Sequence, residues 1–191
     1  AVGVPFRSGS RFDLQRDAIV RIFAAVGTQK FSFNRLINAL DNVSRSEGFE
    51  IFVQYGNSKR PEDCAGASFL ESGEYQAMLG DADVVVVHGG IGTIRSALSI
   101  GAKVVVVPRR AVYGEHVDDH QAEAVAAFAE GGYVVPCYET QRLAEAIKDA
   151  SCCDFPHFES APCAIEDEIS RIAVSWGFDS FLQDSEGSES R

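Results

Sequence analysis

Positive charge is scarce in this sequence: 17 Lys and Arg stand against 28 Asp and Glu, for a formal net charge of -11. Binding to a phosphate backbone needs a basic face, so nucleic acid is not the expected partner. The same balance argues against electrostatic docking of the whole chain on anionic lipid, although a local basic patch stays open. Long apolar runs are also missing. Val84–Val87 and Val104–Pro108 are strand-sized, far short of the roughly 20 residues that span a bilayer. No secretory segment opens the sequence. The five cysteines (Cys64, Cys137, Cys152, Cys153, Cys163) form no CxxC pair, which argues against a disulfide frame and points to reduced thiols in a cytoplasmic protein.

What remains is enough for a core. The chain has 191 residues, 46% of them hydrophobic and 10% aromatic, which fits one globular domain with room for tails. Residues 1–18 mix Gly, Ser, Arg and Asp without a sustained period and read as a flexible lead or partner-binding arm. Residues 19–150 then alternate strand and helix signals. Ile19–Val26 reads as a strand ending at Gly27-Thr28, and Phe33–Ser46 as an amphipathic helix. Ile51–Tyr55 and Ala67–Leu70 read as strands, with a brief helix at Tyr75–Leu79. Val84–His88 is almost purely β-branched, as suits a strand buried on both faces of a parallel sheet. Helix Thr93–Ile100, strand Val104–Val107, helix Asp118–Glu130, strand Tyr133–Val135 and helix Gln141–Asp149 follow. This is the pattern of a doubly wound, Rossmann-like α/β parallel sheet. Residues 151–182 break it, with one further helix expected at Ala164–Trp176, and residues 183–191 read as a disordered polar tail.

Ligands of such sheets sit beyond the carboxyl ends of the strands, where three loops stand out. Gly27-Thr28 is the first. The second, His88-Gly-Gly-Ile-Gly-Thr93, follows a buried strand and opens a helix. Its glycines let backbone amides approach an anion, and the helix dipole assists. It is neither GxGxxG, since position 95 is Arg95, nor a Walker loop, so a tight strand–helix turn remains the plain alternative. The third loop gathers Glu115, His116, Asp118, Asp119, His120 and Gln121. A metal site, a polar helix N-terminus and a sugar-recognition loop all fit that composition, although HExxH is absent.

The stretch HGGIGTIRSALSIGAKVVVVPRRAVYGEHVDDHQAEAVAAFAEGGYVV (His88–Val135) resembles the C-terminal domain of family 28 glycosyltransferases. IFAAVGTQKFSFNRLINALD (Ile22–Asp41) and QYGNSK (Gln54–Lys59) resemble one branch in particular. That branch holds the small subunits of bacterial exopolysaccharide and capsule glycosyltransferases. It also holds the catalytic subunit of the eukaryotic enzyme that adds the second GlcNAc to dolichol-linked GlcNAc. The resemblance implies one half of a two-domain GT-B enzyme that binds a UDP-sugar as donor substrate, with no cofactor and no metal. It implies that a separate, membrane-associated subunit binds a lipid-linked acceptor and recruits this chain to the inner face of the membrane. Gly27 and Thr28 would face the cleft, and Gly89, Gly90, Gly92 and Thr93 would hold the diphosphate. The segment around Phe69–Ser72, with Phe69 and Leu70 foremost, would form the uracil wall, and Glu115, His116, Asp119, His120 and Gln121 the sugar side. Ser96 stands where other branches carry a ribose-binding acid. His88 and Arg109 are the candidates for direct chemistry. Each has a plain alternative, a structural hydrogen bond for His88 and a solvated loop cation for Arg109. A general base would come from the acceptor side. A non-catalytic accessory subunit and a nucleotide-sugar-modifying enzyme such as an epimerase, which would need both halves in one chain, are the rival functions.

Overall fold

A computed structural model of the chain describes residues 19–158. The expected lead (1–18), the helix at Ala164–Trp176 and the tail (183–191) lie outside the described residues.

Among the described residues, six parallel strands carry the fold: β1 (Arg21–Ala25), β2 (Glu50–Gln54), β3 (Ala65–Ala67), β4 (Val84–His88), β5 (Val104–Val107) and β6 (Val135–Pro136). Their spatial order is β3-β2-β1-β4-β5-β6. The chain therefore winds one way from β1 to β3, then crosses back to lay β4 on the other side of β1. The register pairs Ala25 with both Gln54 and Val87, and His88 with Val107. The carboxyl ends of these strands thus finish level, with the reversal of strand order falling between β1 and β4.

Among the described residues, five α-helices flank the sheet: α1 (Asn34–Glu47), α2 (Ser72–Asp81), α3 (Ile91–Ser99), α4 (His120–Glu130) and α5 (Leu143–Cys152). Ile22, Ala24, Val26, Val84, Val86, Val105 and Val107 share a core cluster with Leu36, Ile37 and Leu40 of α1 and with Leu143 and Ile147 of α5. The alternate residue Phe23 meets Tyr75 of α2 edge to face, with ring centroids 5.3 Å apart. Val84–Val87 and Val104–Val107 are all fully buried, so these two strands lie between helical layers, as their uninterrupted valines require. Each such side chain contributes about 1.5–3 kcal/mol of burial. Gly48 closes α1 at φ 69° in the left-handed region, where a Cβ would be strained. Glu71 and Glu74 form a reciprocal capping box that starts α2.

Several boundaries differ from those the sequence suggests. The third strand is Ala65–Ala67, not Ala67–Leu70. Phe69 and Leu70 lie past its end, because the buried Gln54 Oε1 accepts the Leu70 amide at 3.1 Å and draws the backbone out of the ladder. Helix α4 begins at His120 rather than Asp118, since Asp118 and His116 are tied to each other at 3.0 Å. The last strand is shifted to Val135–Pro136. No helix among the described residues is long and apolar enough to cross a membrane.

Candidate functional site

At the carboxyl ends of β1 and β4, where the strand order reverses, a cleft of about 570 Å³ opens. The loop after β1 gives it Gly27, Thr28 and Gln29, the end of β2 gives Gln54, the β3–α2 connection gives Leu70, and α2 gives Ser72 and Tyr75. His88 comes from the end of β4, and Gly90, Gly92, Thr93 and Ser96 come from the start of α3. This is the switch-point crevice in which doubly wound folds place ligands. None of its lining residues is Asp, Glu, Lys or Arg. The first turn of α3 leaves amide hydrogens without helical partners, and no side chain caps it from Gly90. An anion would complete that end.

The glycines of this region serve two different purposes. A Cβ on Gly27, which sits at φ +86°, would lie 2.6 Å from His88 Cε1, and one on Gly90 would lie 2.4 Å from His88 Nε2. A Cβ on Gly89 would lie 2.8 Å from Gln121 Cβ. These three make room for neighbouring side chains. Gly92 differs: its added Cβ would meet nothing within 4 Å. Packing gives no reason for a glycine there, and its open side leaves room for close approach by a ligand.

His88 lies on the cleft floor and is 6% exposed, and its Nδ1 has no hydrogen-bond partner among the described residues. Burial lowers its pKa to about 4, and the nearby Arg109 guanidinium and His116 add to the effect, while a backbone contact with Ala25 opposes it. The ring is therefore neutral near pH 7 in the unliganded protein.

Arg109, at 1% exposed, is anything but a solvated loop cation. Its Nη2 donates to the Val26 carbonyl at 2.7 Å, and its Nη1 to Phe31 at 2.9 Å and to Glu115 at 3.0 Å. The guanidinium also stacks on Phe33, 4.8 Å from the ring centre. Burial lowers its pKa, partly offset by Glu115. The side chain ties the β1–α1 loop to the β5–α4 loop rather than projecting into the cleft.

The β5–α4 loop is held from within. Glu115, 3% exposed, takes a bidentate pair from Arg35 at 2.9 and 3.0 Å and a third bond from the Arg110 amide. Gln121 Oε1 accepts both the Gly89 and the Arg109 amides at 3.1 Å. Asp119 accepts from the Ala111 amide and from Arg110 Nε, which holds its carboxyl below the usual range. His116 and His120 both turn to Asp118, at 3.0 and 3.8 Å. Among the described residues no group of three or more potential metal ligands converges.

Of the residues singled out from the sequence, the structure brings Gly27, Thr28, Leu70, Gly90, Gly92, Thr93 and His88 to one cleft. Phe69 is half exposed outside it. Gly89, Arg109, Glu115, His116, Asp119, His120 and Gln121 are not among its lining residues. Ser72, at the end of the expected uracil wall, also lines it, and Gln29, Gln54 and Tyr75 line it without having been expected. Gln54 was discoverable, because a polar residue ending an apolar strand at the ligand edge has few other reasons to be there.

The model for the glycosyltransferase family 28 C-terminal domain matches residues 21–169. Among solved structures, the chain is similar to the glycosyltransferase of kitacinnamycin, with 20% identity, 78% of this chain and 39% of that one covered, and a TM-score of 0.54. SnogD from Streptomyces nogalater, also a glycosyltransferase, gives 19% identity, coverages of 78% and 40%, and a TM-score of 0.54. MurG from Acinetobacter baumannii gives 18% identity, coverages of 72% and 45%, and a TM-score of 0.50. At such identities the likeness is one of fold, and the chain spans less than half the length of each of these proteins. No curated protein matches the sequence significantly.

Proposed function

The chain belongs to glycosyltransferase family 28 and carries its C-terminal domain, and from that premise we propose that it is the donor-binding catalytic half of a two-subunit transferase. It moves a hexose-type sugar from a UDP-sugar to a lipid-linked acceptor in polysaccharide biosynthesis. The observation that carries this reading is the uncharged cleft at the β1/β4 switch point. There the uncapped first turn of α3 and the open space at Gly92 suit a diphosphate.

The chemistry follows from that placement. As the glycosidic bond to UDP breaks, negative charge builds on the leaving diphosphate. The amides of Gly92 and Thr93 at the positive end of α3 stabilise it as it forms, with the Thr93 and Thr28 hydroxyls as further donors. The buried guanidinium of Arg109 adds its field from behind the loop without touching the ligand. Leu70, Ser72 and Tyr75 offer a wall for the base. The acceptor, and the group that deprotonates it, belong to a second, membrane-associated subunit, which would hold this chain at the cytoplasmic face.

Co-expression with a candidate acceptor subunit, followed by transfer assays on membranes, tests the reading. Transfer is expected from the pair and not from the purified chain. Robust transfer to a lipid-linked acceptor by the chain alone would contradict the half-enzyme reading. Transfer by the pair that persists when the chain cannot bind UDP would make it an accessory subunit instead.

A further inference from the structure

The cleft presents a charge problem. A nucleotide-sugar diphosphate carries two negative charges, yet the residues lining the cleft include no Lys or Arg. The guanidinium of Arg109 is committed to backbone carbonyls beneath the loops. Helix α3 offers only partial charge at its N-terminus, equivalent to roughly half an elementary charge. One lining side chain can become a cation, and that is His88.

Its placement fits the task. The ring is wedged between Gly27 and Gly90, at distances that leave no room for a Cβ on either. It is 6% exposed, lines the cleft, and has a buried Nδ1 without a partner. A neutral imidazole has one donor nitrogen and one acceptor nitrogen, whereas the protonated ring has two donors. Protonation gives the ring, which lines the cleft, a second donor once an anion is present.

Resting on the donor-binding reading above, we infer that His88 takes up a proton as the diphosphate seats, so that donor binding and protonation of this ring are one event. The residue acts as a charge source and positioning group for the donor, with no bond made or broken in the sugar.

The groups around the ring agree on the direction. Without ligand, burial, Arg109 from the β5–α4 loop and His116 from the same loop all disfavour the charged ring, and its pKa stands at about 4. Only the Ala25 backbone on β1 favours the charged form. On the α4 side the neighbouring side chain is the neutral Gln121, bonded to Gly89 and Arg109. The Glu115 carboxylate of that loop is paired with Arg35. An arriving dianion is therefore the one strong influence that raises the pKa, and by linkage a raised pKa means proton uptake. As pH rises through the pKa of the bound state, the proton is lost and affinity falls.

Calorimetry on the full chain tests this, with UDP-glucose and UDP-GlcNAc as probes, because their diester phosphates do not titrate near neutrality. Titrations at pH 6.5 in PIPES and in Bis-Tris, whose ionisation heats differ, give the number of protons exchanged. The expected result is net uptake of about half a proton or more per donor, with affinity about three- to tenfold tighter at pH 6 than at pH 7.5. His88→Asn, checked for an unchanged melting profile, should bind more weakly with no uptake and a flat pH profile. Wild-type binding without proton uptake would overturn the inference, and so would uptake that survives in a folded His88→Asn protein. Absence of binding by both donors and by UDP would remove the donor reading and this inference with it, an outcome distinct from binding without protons.

Discussion

Single residues here divide by what their polar atoms already touch. Gln121 belongs, by resemblance, to the sugar side of the site, yet its carbonyl oxygen is the shared acceptor of two buried amides, Gly89 and Arg109. Gln121→Ala leaves both amides unsatisfied, at about 1–3 kcal/mol for each such group. It also unpins the loop that leads into α3. The variant should therefore melt earlier and lose UDP affinity together, as thermal scans and calorimetry would show. Unchanged stability and UDP affinity, with transfer alone impaired, would return the residue to direct sugar recognition. The sequence could not reveal this engagement, because the partners lie 32 and 12 positions away and a glutamine that braces is spelled like one that binds. The glycines were legible as a group but not by purpose. Only the neighbours of each missing Cβ separate Gly92 from Gly27, Gly89 and Gly90.

At the level of elements, β4 and β5 were readable to the residue, since runs of valine bounded by His88 and Pro108 admit little else. The third strand was not. Its hydrophobic signal sits on Phe69 and Leu70, whereas the paired residues are the small Ala65, Gly66 and Ala67. The β5–α4 loop misled in another way: its carboxylates and imidazoles suggest ligand recognition, but Arg35 and Arg110 answer two of those carboxylates. Arg109 is the strongest brace of this assembly, joining the loops that follow β1 and β5 through carbonyls of Val26, Phe31 and Glu115. Arg109→Leu strands those carbonyls and should cost at least about 3 kcal/mol in urea unfolding. A loss within about 0.5 kcal/mol, the range of an ordinary surface substitution, accompanied by slower transfer, would show instead that its charge matters more than its bonds.

Across the whole molecule, an acidic chain has kept a cleft free of formal charge at the one place where a doubly wound sheet binds ligands. An acidic protein of net charge -11 repels a nucleotide at long range, so attraction has to be local, and α3 is where the fold supplies it. Family membership and the doubly wound parallel sheet were both visible in the sequence, through motif order and strand–helix alternation. The depth of the cleft and the burial of His88 needed three dimensions. The central claim, that α3 receives the donor diphosphate, is tested most directly by titrating UDP into the wild-type chain and Gly92→Asp. The substitution has open space, and an acidic residue in a helix's first turn is favourable for the helix, so the variant should fold with unchanged or slightly raised stability. The account predicts one UDP bound per wild-type chain and none measurable in Gly92→Asp, because the new carboxylate stands where the diphosphate must sit. Equal UDP affinity in a folded Gly92→Asp protein, or no binding by the wild type, would contradict it.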